Sequence, residues 1–588
     1  MSNIKWKIGW GLSNKCNMAC KFCYSRKVRR EQKNFDNVIQ TGIDFVKKNR
    51  NKIDSINFGT GEPTVEPSFF SFCDQLNRVA PNVTLGVTTN GNLAKAARNP
   101  YNLDVFIRCI EDIDISLDFG DAERQDESRN CEGAFQGVIE TLKLCQKYGK
   151  NATVVSVMHK YNCSYSNFSS MIRIARLYNA SFRINILRPT VDFSFALPYK
   201  NLKDNFINLI REYEVESIAD PLLAALVEAD CPNGDPTAES SFRILPNGYV
   251  TPSTYLLDAD WQVKRLDEID NIDSMHELDS FKKIKAVEIP QSCGKCRMRE
   301  ICKGGVFDRR WLWYHDFSEN DPYCPLRFGD SLDWKQLSGN VIYSKKRKSF
   351  VHDGYLPTLI FNPIINARAL SRWDNIYLNY RSSYNSNEPD QYILKAEEIT
   401  SQKTKRKVLD LGSGLGRNGK YFLSKGDYVS FIESSKVAND ILVKSLLDKN
   451  IMSGYSVIEC DIVEFLENEK NESFDIVLAM HIISHGTIDI IASSYIKNIY
   501  RVLKKNGIAC ITLPSITDER CPNHGADIYE YTLEDGPEKG IVHSFYSEAA
   551  LLREINGFEV LEIDEKTNDN GNAHWNLILL SLIHISEP

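Results

Sequence analysis

The sequence predicts an α/β protein with two separate parallel sheets, and three features lead to this prediction. Short apolar runs alternate with amphipathic helical patterns in residues 1–200, and a second alternation of the same kind occupies residues 371–588. Such alternation is typical of a parallel sheet covered by helices. Between the two, residues 201–330 lose this rhythm and gain cysteines and turn residues, which predicts a small, loop-rich domain.

The first alternation contains six candidate strands separated by helical patterns. Strands joined in this way pair in parallel, and right-handed crossovers curl the sheet into a partial, TIM-like (β/α)6 barrel. The predicted strands are Lys7–Leu12, Ile53–Phe58, Val83–Thr88, Ile113–Leu117, Thr153–Met158 and Phe182–Leu187. The predicted helices include Phe35–Lys48, Phe69–Val79, Ala134–Tyr148 and Ser169–Tyr178.

The second alternation contains seven candidate strands. They are Lys407–Leu411, Tyr428–Ile432, Ser456–Glu459, Asp475–Ala479, Ile508–Leu513, Phe558–Ile563 and His574–Leu579. Residues 331–370 have few periodic stretches and are predicted to be a linker, with the basic run Lys345–Lys348 as a solvated connector. The last nine residues, Leu580–Pro588, resemble a translated sequencing adaptor and are left out of the fold prediction.

The composition limits the classes of function. A formal net charge of -7 provides no overall basic field, so RNA modification or binding is disfavoured. No apolar run reaches membrane-spanning length and residues 1–13 lack a signal-peptide core, which predicts a cytoplasmic protein without a membrane partner. Sixteen cysteines in such a protein indicate metal or redox chemistry before disulfides.

Three of the cysteines stand close together after the first predicted strand. Cys16, Cys20 and Cys23 fall within eight residues. Three thiolates at this spacing can hold one face of a [4Fe–4S] cubane and leave one iron without a protein ligand. That open iron can chelate the amino and carboxylate groups of S-adenosylmethionine (SAM). A zinc knuckle would need a fourth ligand nearby, and the next cysteine is Cys73.

This motif resembles that of the radical SAM superfamily, CX3CX2C with an aromatic residue before the last cysteine, which is Phe22 here. The resemblance extends to Gly61 and Glu62, which follow the second strand as the family's GGE motif does. It implies that this motif binds the methionine amino group of the cofactor. Thr60 replaces the first glycine of the motif.

The same resemblance implies a role for residues at the ends of the third and fourth strands. In the family, these strand ends help to hold the ribose and carboxylate of SAM. Carboxyl ends of strands are where a β/α barrel places its chemistry. The residues implied here are Asn90, Ser116 and Asp118, followed by Arg129 in a loop.

A second group of cysteines also has the spacing of cluster ligands. It consists of Cys293, Cys296, Cys302 and Cys324. The pattern resembles the SPASM domain, an auxiliary-cluster module of many radical enzymes that modify peptides. The resemblance implies that the four cysteines ligate one auxiliary [4Fe–4S] cluster. Zinc is the alternative, because zinc ribbons use similar spacings.

The chain departs from the SPASM pattern at the positions that serve an inner cluster. Cys231 stands near the first of these positions, but Ser253 and Val306 replace cysteines at the others. A lone cysteine cannot hold a cubane, so Cys231 is interpreted as a buried thiol. The resemblance therefore implies one auxiliary cluster and no inner cluster.

A glycine-rich turn follows the first strand of the second alternation and leads into a helix. Acidic residues close the next two strands, where they can bind the ribose hydroxyls and face the adenine amino group. This resembles the Rossmann-like class I SAM-dependent methyltransferases. Dinucleotide binding is the competing interpretation of the turn, and the series of acids disfavours it. The implied cofactor residues are Asp410, Gly412, Gly414, Gly416, Glu433 and Asp461.

In such methyltransferases, the loop after the fourth strand faces the methyl group. Here that loop carries His481 and His485. His481 is a candidate general base for an oxygen or nitrogen acceptor. The alternative is that both histidines only pack and hydrogen-bond the loop. Residues 527–547 resemble the substrate-covering segment of this class.

The two resemblances together predict a bifunctional enzyme, an oxidoreductase of the radical SAM type fused to a methyltransferase. The implied cofactors are SAM and two [4Fe–4S] clusters, one that binds SAM and one auxiliary. The implied partners are a peptide substrate and a reductant such as flavodoxin or ferredoxin. Fusion raises the effective concentration of an intermediate at the second site.

Other functions are kept as alternatives. The first is a radical epimerase or dehydrogenase of a sugar or aminoglycoside, again with a fused methyltransferase. In an epimerase, Cys163 or Cys131 would return hydrogen from the far face of the substrate. RNA modification and an inactive scaffold are disfavoured by the net charge and by the two intact cofactor motifs.

Overall fold

The chain forms two compact units, Met1–Ala369 and Leu370–Pro588, in the computed structural model. The described residues are 5–26, 38–229, 235–339, 341–344, 357–365, 370–380, 388–483, 485–568 and 570–582. Cys231 and the basic run Lys345–Lys348 lie outside them.

The first unit is built on one sheet of eleven strands. They are β1 (Trp6–Trp10), β2 (Ile53–Phe58), β3 (Thr84–Thr89), β4 (Asp112–Ser116), β5 (Asn151–Met158), β6 (Ser181–Ile186), β7 (Tyr213–Ile218), β8 (Ser241–Ile244), β9 (Tyr249–Thr251), β10 (Lys264–Arg265) and β11 (Leu359–Ile365). Their order across the sheet is β10-β9-β8-β1-β2-β3-β4-β5-β6-β11-β7. Strands β1 to β6 pair in parallel, each with the next, which confirms the predicted fold class.

Helices occupy most connections of this sheet, as the apolar periodicity predicts. They are α1 (Val38–Asn49), α2 (Phe69–Val79), α3 (Leu93–Ala96), α4 (Pro100–Cys109), α5 (Ala122–Arg129), α6 (Ala134–Lys147), α7 (Tyr165–Leu177), α8 (Tyr199–Glu212), α9 (Pro221–Leu226), α10 (Asp279–Lys285), α11 (Arg299–Cys302), α12 (Phe307–Tyr314) and α13 (Trp334–Ser338).

Strand β11 lies in the segment 331–370, which the sequence predicts to be a linker. The structure places it inside the sheet, antiparallel to both β6 and β7, so the linker prediction is wrong for these residues. The apolar run is interrupted by Asn362 and Pro363, and the pairing with β7 is irregular between Asn362 and Ile365. Proline is tolerated in a strand at such an irregularity. Because Asn362 and Pro363 interrupt the apolar run, the local sequence pattern did not predict a strand here.

The second unit contains a sheet of seven strands and a two-stranded hairpin. The strands are β12 (Lys407–Leu411), β13 (Tyr428–Ile432), β14 (Tyr455–Ile458), β15 (Phe474–Ala479), β16 (Leu503–Pro514), β17 (Ile528–Thr532), β18 (Val542–Tyr546), β19 (Phe558–Thr567) and β20 (Ala573–Ser581). The sheet order is β14-β13-β12-β15-β16-β20-β19, with β20 antiparallel to its neighbours. Leu580 and Ser581 belong to β20, although the adaptor resemblance excluded them from the fold prediction.

Helices and one π-helical segment complete this unit. They are α14 (Arg372–Asn379), α15 (Gln391–Thr400), α16 (Arg417–Ser424), α17 (Lys436–Asp448), α18 (Ile462–Asn468), α19 (Ile488–Ile490), the π-helix Ile491–Ile496, α20 (Lys497–Val502) and α21 (Glu548–Glu554). Among the helices of the described ranges, none is long and apolar enough to cross a membrane.

Alternate residues of the seven-stranded sheet enter two different cores. Leu409 and Val477 pack in one core together with the helix of Ile499, whereas Val408 packs on the opposite face beside Phe422. Both faces are therefore buried under helices, which is the arrangement expected of a parallel sheet with continuous apolar strands.

A buried arginine organises the cysteine-rich part of the first unit. Arg309, on α12, is fully buried, and its guanidinium lies 2.7 Å from the carboxylate of Asp220 and 2.5 Å from that of Asp321. Asp321 also accepts the backbone N–H of Val306, and its carbonyl accepts the N–H of Cys324. Asp220 caps the start of α9, and Asp321 lies in the loop that carries Cys324. The two ion pairs of Arg309 therefore join α9, α12 and this loop.

We predict that Arg309→Leu strongly destabilises this unit. The substitution leaves two carboxylates buried without their cation, which costs about 3–5 kcal/mol. The urea midpoint, followed by tryptophan fluorescence, is expected to fall well below that of the wild type. The exposed pair Lys335–Glu228 provides the control, because Lys335→Leu removes an interaction of less than about 1 kcal/mol. Equal shifts in the two variants would contradict the prediction.

Candidate functional site

The cysteine loop after β1 and the carboxyl ends of the parallel strands enclose a cavity of about 170 Å³. Seven of the residues predicted from the sequence line it: Cys16, Cys20, Cys23, Gly61, Asn90, Ser116 and Arg129. The three cysteines are half-buried and form no disulfide. The structure thus brings the three sulfurs and the ends of β3 and β4 to one place.

Two of the three sulfurs accept hydrogen bonds, one from Asn90 after β3 and one from Arg129, which ends helix α5 and does not lie in a loop as predicted. The side-chain amide of Asn90 lies 3.7 Å from the sulfur of Cys16. The guanidinium of Arg129 lies 3.6 Å from the sulfur of Cys20. Hydrogen bonds to sulfur are one means by which a protein stabilises a cluster and tunes its potential. The donors present therefore fit a cubane bound by these cysteines.

Asp118 holds Arg129 in this position. Its carboxylate is fully buried, pairs with the Arg129 guanidinium and accepts the N–H of Val157 at 2.9 Å. Burial alone would lower the pKa of Arg129, but the charges of Asp118 and Cys20 raise it above its ordinary value. Asp118 is not among the cavity-lining residues of the described chain. The structure therefore makes it a positioning residue behind the cavity.

Glu62 also lies behind the cavity wall. Its carboxylate accepts hydrogen bonds from the hydroxyls of Thr64 and Thr89, at 2.6 and 3.0 Å, and from the backbone N–H of Asn90 at 2.6 Å. Burial raises the pKa of Glu62, and these hydrogen bonds oppose the rise. The carboxylate ties the loop after β2 to the end of β3, and it does not line the cavity in the described chain.

Gly61 and Thr60 both adopt left-handed backbone conformations in this loop. A Cβ on Gly61, at φ +65°, would lie 2.2 Å from the carbonyl oxygen of Lys15, so only glycine fits. Thr60 has φ 73°, although a threonine is disfavoured there. Its hydroxyl accepts a hydrogen bond from Arg243. Thr60 thus keeps the left-handed conformation that the glycine of the family motif would favour.

Three buried arginines that the sequence analysis did not single out also line this cavity. Arg183 pairs with Asp114 across two strands at 2.9 Å, and Arg188 pairs with Asp308 at 2.7 Å. The third is Arg243 on β8. The available signal was a charged residue inside a predicted strand, as in the β6 run SFRINI, whose residues are all buried.

Ser253 occupies a position where the SPASM pattern has a cysteine. Its hydroxyl donates to the carboxylate of Asp308 at 2.9 Å. Val306, at the other such position, is fully buried. Ser253 is therefore hydrogen-bonded to an ion pair, because Asp308 also pairs with Arg188.

The second group of cysteines lines a separate cavity of about 20 Å³. All four members contribute to its walls: Cys293, Cys296, Cys302 and Cys324. Thiolates around a single tetrahedral zinc lie about 3.8 Å apart, given Zn–S bonds of about 2.3 Å. Within the described ranges, no three cysteine sulfurs all lie within 4.8 Å of one another. The four cysteines therefore do not form a preassembled tetrahedral zinc site within the described ranges.

Cys163 is placed away from the first cavity. Its thiol is buried and donates to the carbonyl oxygen of Lys160 at 3.2 Å. Neither Cys163 nor Cys131 is among the lining residues of the described chain. The geometry thus provides no support for the alternative in which one of them returns hydrogen to the substrate.

The second unit contains a cavity of about 820 Å³ beside the carboxyl ends of β12 to β15. Strand order reverses between β12 and β15, and this is where open α/β sheets bind ligands. Of the predicted residues, the walls include Asp410, Gly412, Gly414, Glu433, Asp461, His481 and His485. Gly416 lies at the start of α16, with φ +76°.

The glycine turn is closely packed against its neighbours. Gly414 has φ +52°, and a Cβ there would lie 2.6 Å from the hydroxyl of Tyr377. The carboxylate of Glu433 accepts the N–H of Gly414 at 2.9 Å and that of Ser435 at 2.8 Å. Each carboxylate oxygen keeps a further lone pair, so Glu433 can also accept from a ribose.

Asp410 and Asp461 have different surroundings. Asp410 is buried and accepts the N–H of Gly419 at 3.0 Å, and burial raises its pKa to about 7. Asp461 is exposed and caps α18 by accepting the N–H of Val463 at 2.8 Å. Both face the cavity, so both are available to a bound cofactor.

A group of histidines lines the opposite wall. His481 has a left-handed backbone, φ 60°, and its ring packs against that of His574 at 5.1 Å. Its side chain is open to the cavity, and its desolvation by surrounding protein lowers the pKa below the ordinary value. His485 and His543 form another ring pair, 4.9 Å apart, beside Glu538. Of these residues, the sequence analysis chose only His481 and His485.

Comparison with known proteins assigns a family to part of each unit. Residues 10–163 match the family described as Radical SAM superfamily, and residues 408–507 match the family described as Methyltransferase domain. The chain is similar to the mycofactocin maturase MftC of Mycobacterium ulcerans (strain Agy99), with 31% identity over 188 residues, which are 31% of this chain and 47% of the relative. The chain spans about half the length of the curated relatives it matches.

Two solved structures are similar in fold. Streptococcus suis SuiB bound to precursor peptide SuiA is similar over 55% of this chain and 76% of that chain, with 14% identity and a TM-score of 0.44. The 1,6-didemethyltoxoflavin-N1-methyltransferase of Burkholderia thailandensis, with S-adenosylhomocysteine bound, is similar over 36% of this chain and 87% of that chain, with 17% identity and a TM-score of 0.28.

We predict that Asp410 makes the protein less stable as the pH rises. The folded chain raises the pKa of Asp410 from 3.8 to about 7, so between these values the folded state holds a proton that the unfolded state has lost. The free energy of unfolding therefore falls across this range, by about 1.4 kcal/mol per pH unit for this group. Asp410→Asn removes that dependence.

The measurement is the urea midpoint between about pH 5 and pH 7, without SAM, for the wild type and Asp410→Asn. The difference between the two is expected to grow in favour of the variant as the pH rises. Asp535→Asn, at an exposed position of the same unit, is the matched control and should follow the wild type. Parallel profiles for all three proteins would disprove the prediction.

Proposed function

We propose that this enzyme, which carries a radical SAM domain and a SAM-dependent methyltransferase domain, performs two successive reactions on a peptide. The radical domain modifies a C–H bond, and the second domain methylates the same molecule or its product. The radical SAM family uses a [4Fe–4S] cluster and SAM, and the methyltransferase uses SAM. The observation that carries the proposal is the convergence of Cys16, Cys20 and Cys23 on one cavity at the ends of parallel strands.

In this proposal, the residues around the first cavity hold the cluster and the cofactor. The three cysteines ligate three irons, while Asn90 and Arg129 donate hydrogen bonds to two of the sulfurs. When bound, the cluster supplies the electron that cleaves SAM to methionine and a 5′-deoxyadenosyl radical, which abstracts hydrogen from the substrate. Gly61 and Ser116 line the space left for SAM. Asp118 and Glu62 position the arginine and the strand ends from behind.

We further propose that the cysteine-rich part of residues 201–330, within the first unit, holds one auxiliary cluster. Its ligands are the four cysteines that line the small cavity, and Asp321 and Arg309 fix the loops that carry them. A cluster with four thiolate ligands has no open iron. It would therefore stabilise this loop-rich domain and relay electrons from a reductant such as flavodoxin or ferredoxin.

The methyl transfer is proposed to take place in the larger cavity of the second unit. Glu433 and Asp461 would bind the ribose and adenine of SAM beside the glycine turn. His481 lines the same cavity and is neutral at physiological pH, because desolvation lowers its pKa. A neutral imidazole can accept the proton that an oxygen or nitrogen nucleophile loses, and the lowered pKa makes this imidazole a weaker base than a free histidine.

A peptide is the proposed substrate because the spacing of the second cysteine group resembles the SPASM module of peptide-modifying enzymes. The first cavity adds support, since its buried arginines, Arg183, Arg188 and Arg243, can donate to backbone carbonyls and carboxylates. The alternative, an epimerase of a sugar, requires a hydrogen donor in the cavity, and Cys163 is not placed there.

We predict about eight irons per chain, two cubanes, after anaerobic reconstitution. With a reductant and SAM, the wild type should release 5′-deoxyadenosine. Cys16→Ala should lose about half of the iron and all 5′-deoxyadenosine, because the cubane that binds SAM loses one of its three cysteine ligands. Cys302→Ala should also lose about half of the iron, but it should keep the cluster that binds SAM.

Cys131→Ser is the control, since it changes a cysteine outside both groups and should leave the iron content unchanged. About four irons per chain in the wild type would mean one cubane and would contradict the auxiliary cluster. About twelve would mean three cubanes and would contradict the inference that Ser253 and Val306 exclude an inner cluster. No 5′-deoxyadenosine under reducing conditions would falsify the radical function.

We predict that Glu433→Gln weakens binding of S-adenosylhomocysteine to the second unit by ten-fold or more, about 1.4 kcal/mol. The amide cannot accept from both ribose hydroxyls while it also serves the N–H groups of Gly414 and Ser435. Isothermal titration calorimetry measures the affinity, with Glu469→Gln, outside the cavity, as the control. If Glu433→Gln bound S-adenosylhomocysteine as tightly as the wild type does, Glu433 would not contact the ribose and the prediction would be wrong.

A further inference from the structure

Three side chains with metal-ligating atoms converge on the wall of the larger cavity. They are His485, Glu538 and His543, and their donor atoms all lie within 4.8 Å of one another. The same carboxylate oxygen of Glu538 lies 3.0 Å from Nε2 of His543 and 3.7 Å from Nε2 of His485. Within the described ranges, no other group of three such residues is this close.

The fold brings these residues together from two distant segments. His485 lies in the loop after β15, whereas Glu538 and His543 belong to the hairpin of β17 and β18. An antiparallel backbone bridge joins His485 to His543, and the hydroxyl of Ser544 donates to the carbonyl of Gly486 at 2.8 Å. The backbone therefore holds the two histidines side by side.

The hydrogen bonds around His543 leave its inner nitrogen facing a carboxylate. Nδ1 of His543 lies 3.3 Å from the carbonyl oxygen of Ile541, and the tautomer that carries a proton on Nδ1 makes this contact a hydrogen bond. In that neutral tautomer, Nε2 carries a lone pair, which points at an oxygen of Glu538 that also carries lone pairs. The two atoms attract each other only if a proton or a metal cation lies between them.

We propose that His485, Glu538 and His543 form a binding site for a divalent first-row transition-metal ion, of the class of Zn²⁺, Fe²⁺ or Mn²⁺. Two imidazoles and one carboxylate are a common donor set for such ions. Donor atoms around a tetrahedral ion with bonds of about 2.0–2.1 Å lie about 3.3 Å apart. The observed 3.0 and 3.7 Å lie on either side of this value. The bond from Nδ1 of His543 to a backbone carbonyl is the usual outer support of a metal-binding histidine.

The surrounding charges are compatible with a cation. The guanidinium of Arg520 lies 4.0 Å from Glu538. That guanidinium is paired with Asp518 at 2.8 Å, and Asp518 is fully buried. The ring of Trp373 lies 5.0 Å from the ring of His485 and closes another side. The remaining side opens to the cavity, where further ligands of the ion can bind.

The ion would have coordination positions left for an oxygen or nitrogen atom of the methyl acceptor. It would place that atom in the cavity that Glu433 and Gly414 share with the three ligands. Coordination lowers the pKa of a hydroxyl or amine and so favours the nucleophilic form. This role depends on the proposed methyltransferase function, whereas the binding of the ion does not.

The test is a titration of the full chain with Mn²⁺, after reconstitution of the clusters, treatment with EDTA and desalting. Oxidised [4Fe–4S] clusters are silent in electron paramagnetic resonance, so the six-line signal reports free Mn²⁺ alone. The wild type should bind one Mn²⁺ per chain, and Zn²⁺ should displace it. Glu538→Gln and His543→Gln should each weaken Mn²⁺ binding by ten-fold or more.

His524→Gln is the matched control, because His524 lies in the same unit outside the cavity walls and should bind Mn²⁺ as the wild type does. Far-ultraviolet circular dichroism shows whether each variant is folded. Wild-type protein that binds neither Mn²⁺ nor Zn²⁺ would overturn the inference and leave a protonated His543 as the explanation. Metal binding equal to wild type in both ligand variants would overturn it as well.

Binding of S-adenosylhomocysteine, measured on the same samples, separates this inference from the proposed function. Wild-type protein that binds the cofactor product but no metal overturns the metal site alone. Protein that binds the metal but no cofactor product overturns the methyltransferase proposal and leaves the metal site in place.

Discussion

Both candidate sites depend on one constraint, the parallel pairing of neighbouring strands. Parallel strands end at the same edge of a sheet, so short loops after different strands meet there. In the first unit, β1 pairs in parallel with both β2 and β8, which sets the cysteine loop between the ends of its neighbours. In the second unit, the reversal of strand order at β12 and β15 opens the larger cavity. Polar residues distant in sequence become neighbours in both places.

Buried ion pairs give the first site its shape. Asp118 orients Arg129 towards the sulfur of Cys20, and Asp308 holds Arg188 at the cavity wall. Such pairs add little net stability over apolar residues, but the loss of one partner is costly. These ion pairs instead fix the orientation of each arginine side chain at the cavity. The same physics operates around Ser253, where an ion pair occupies the surroundings of a missing cysteine.

In the proposed function, the cavity of the second unit has a cofactor wall and an acceptor wall. Glycines and acids at the ends of β12 and β13 form the first wall, and the histidines with Glu538 form the other. The acceptor wall is completed by the hairpin of β17 and β18, which lies outside the seven-stranded sheet. Variation in this hairpin could change the acceptor without changing the cofactor wall, because the two walls come from different segments.

Local patterns in the sequence determined the fold class, most strands of the two parallel sheets and the residues of both cysteine groups. These features depend on short-range periodicity and spacing, which the chain displays directly. The glycine turn and Glu433 were predicted for the same reason. Only the tertiary structure decided which predicted residues line a cavity, since that depends on side-chain direction. It placed Asp118 and Glu62 behind the wall and turned the thiol of Cys163 towards Lys160.

Long-range pairing decided the rest. The segment of β11 reads as a linker in sequence, yet it completes a sheet because β6 and β7 offer free edges on either side of it. His485 and the pair Glu538 and His543 are some fifty residues apart in the chain, and no local signal connects them. A backbone bridge between the loop after β15 and strand β18 brings them together. The sequence supplied the chemical groups, and the contacts between distant segments decided which of them act together.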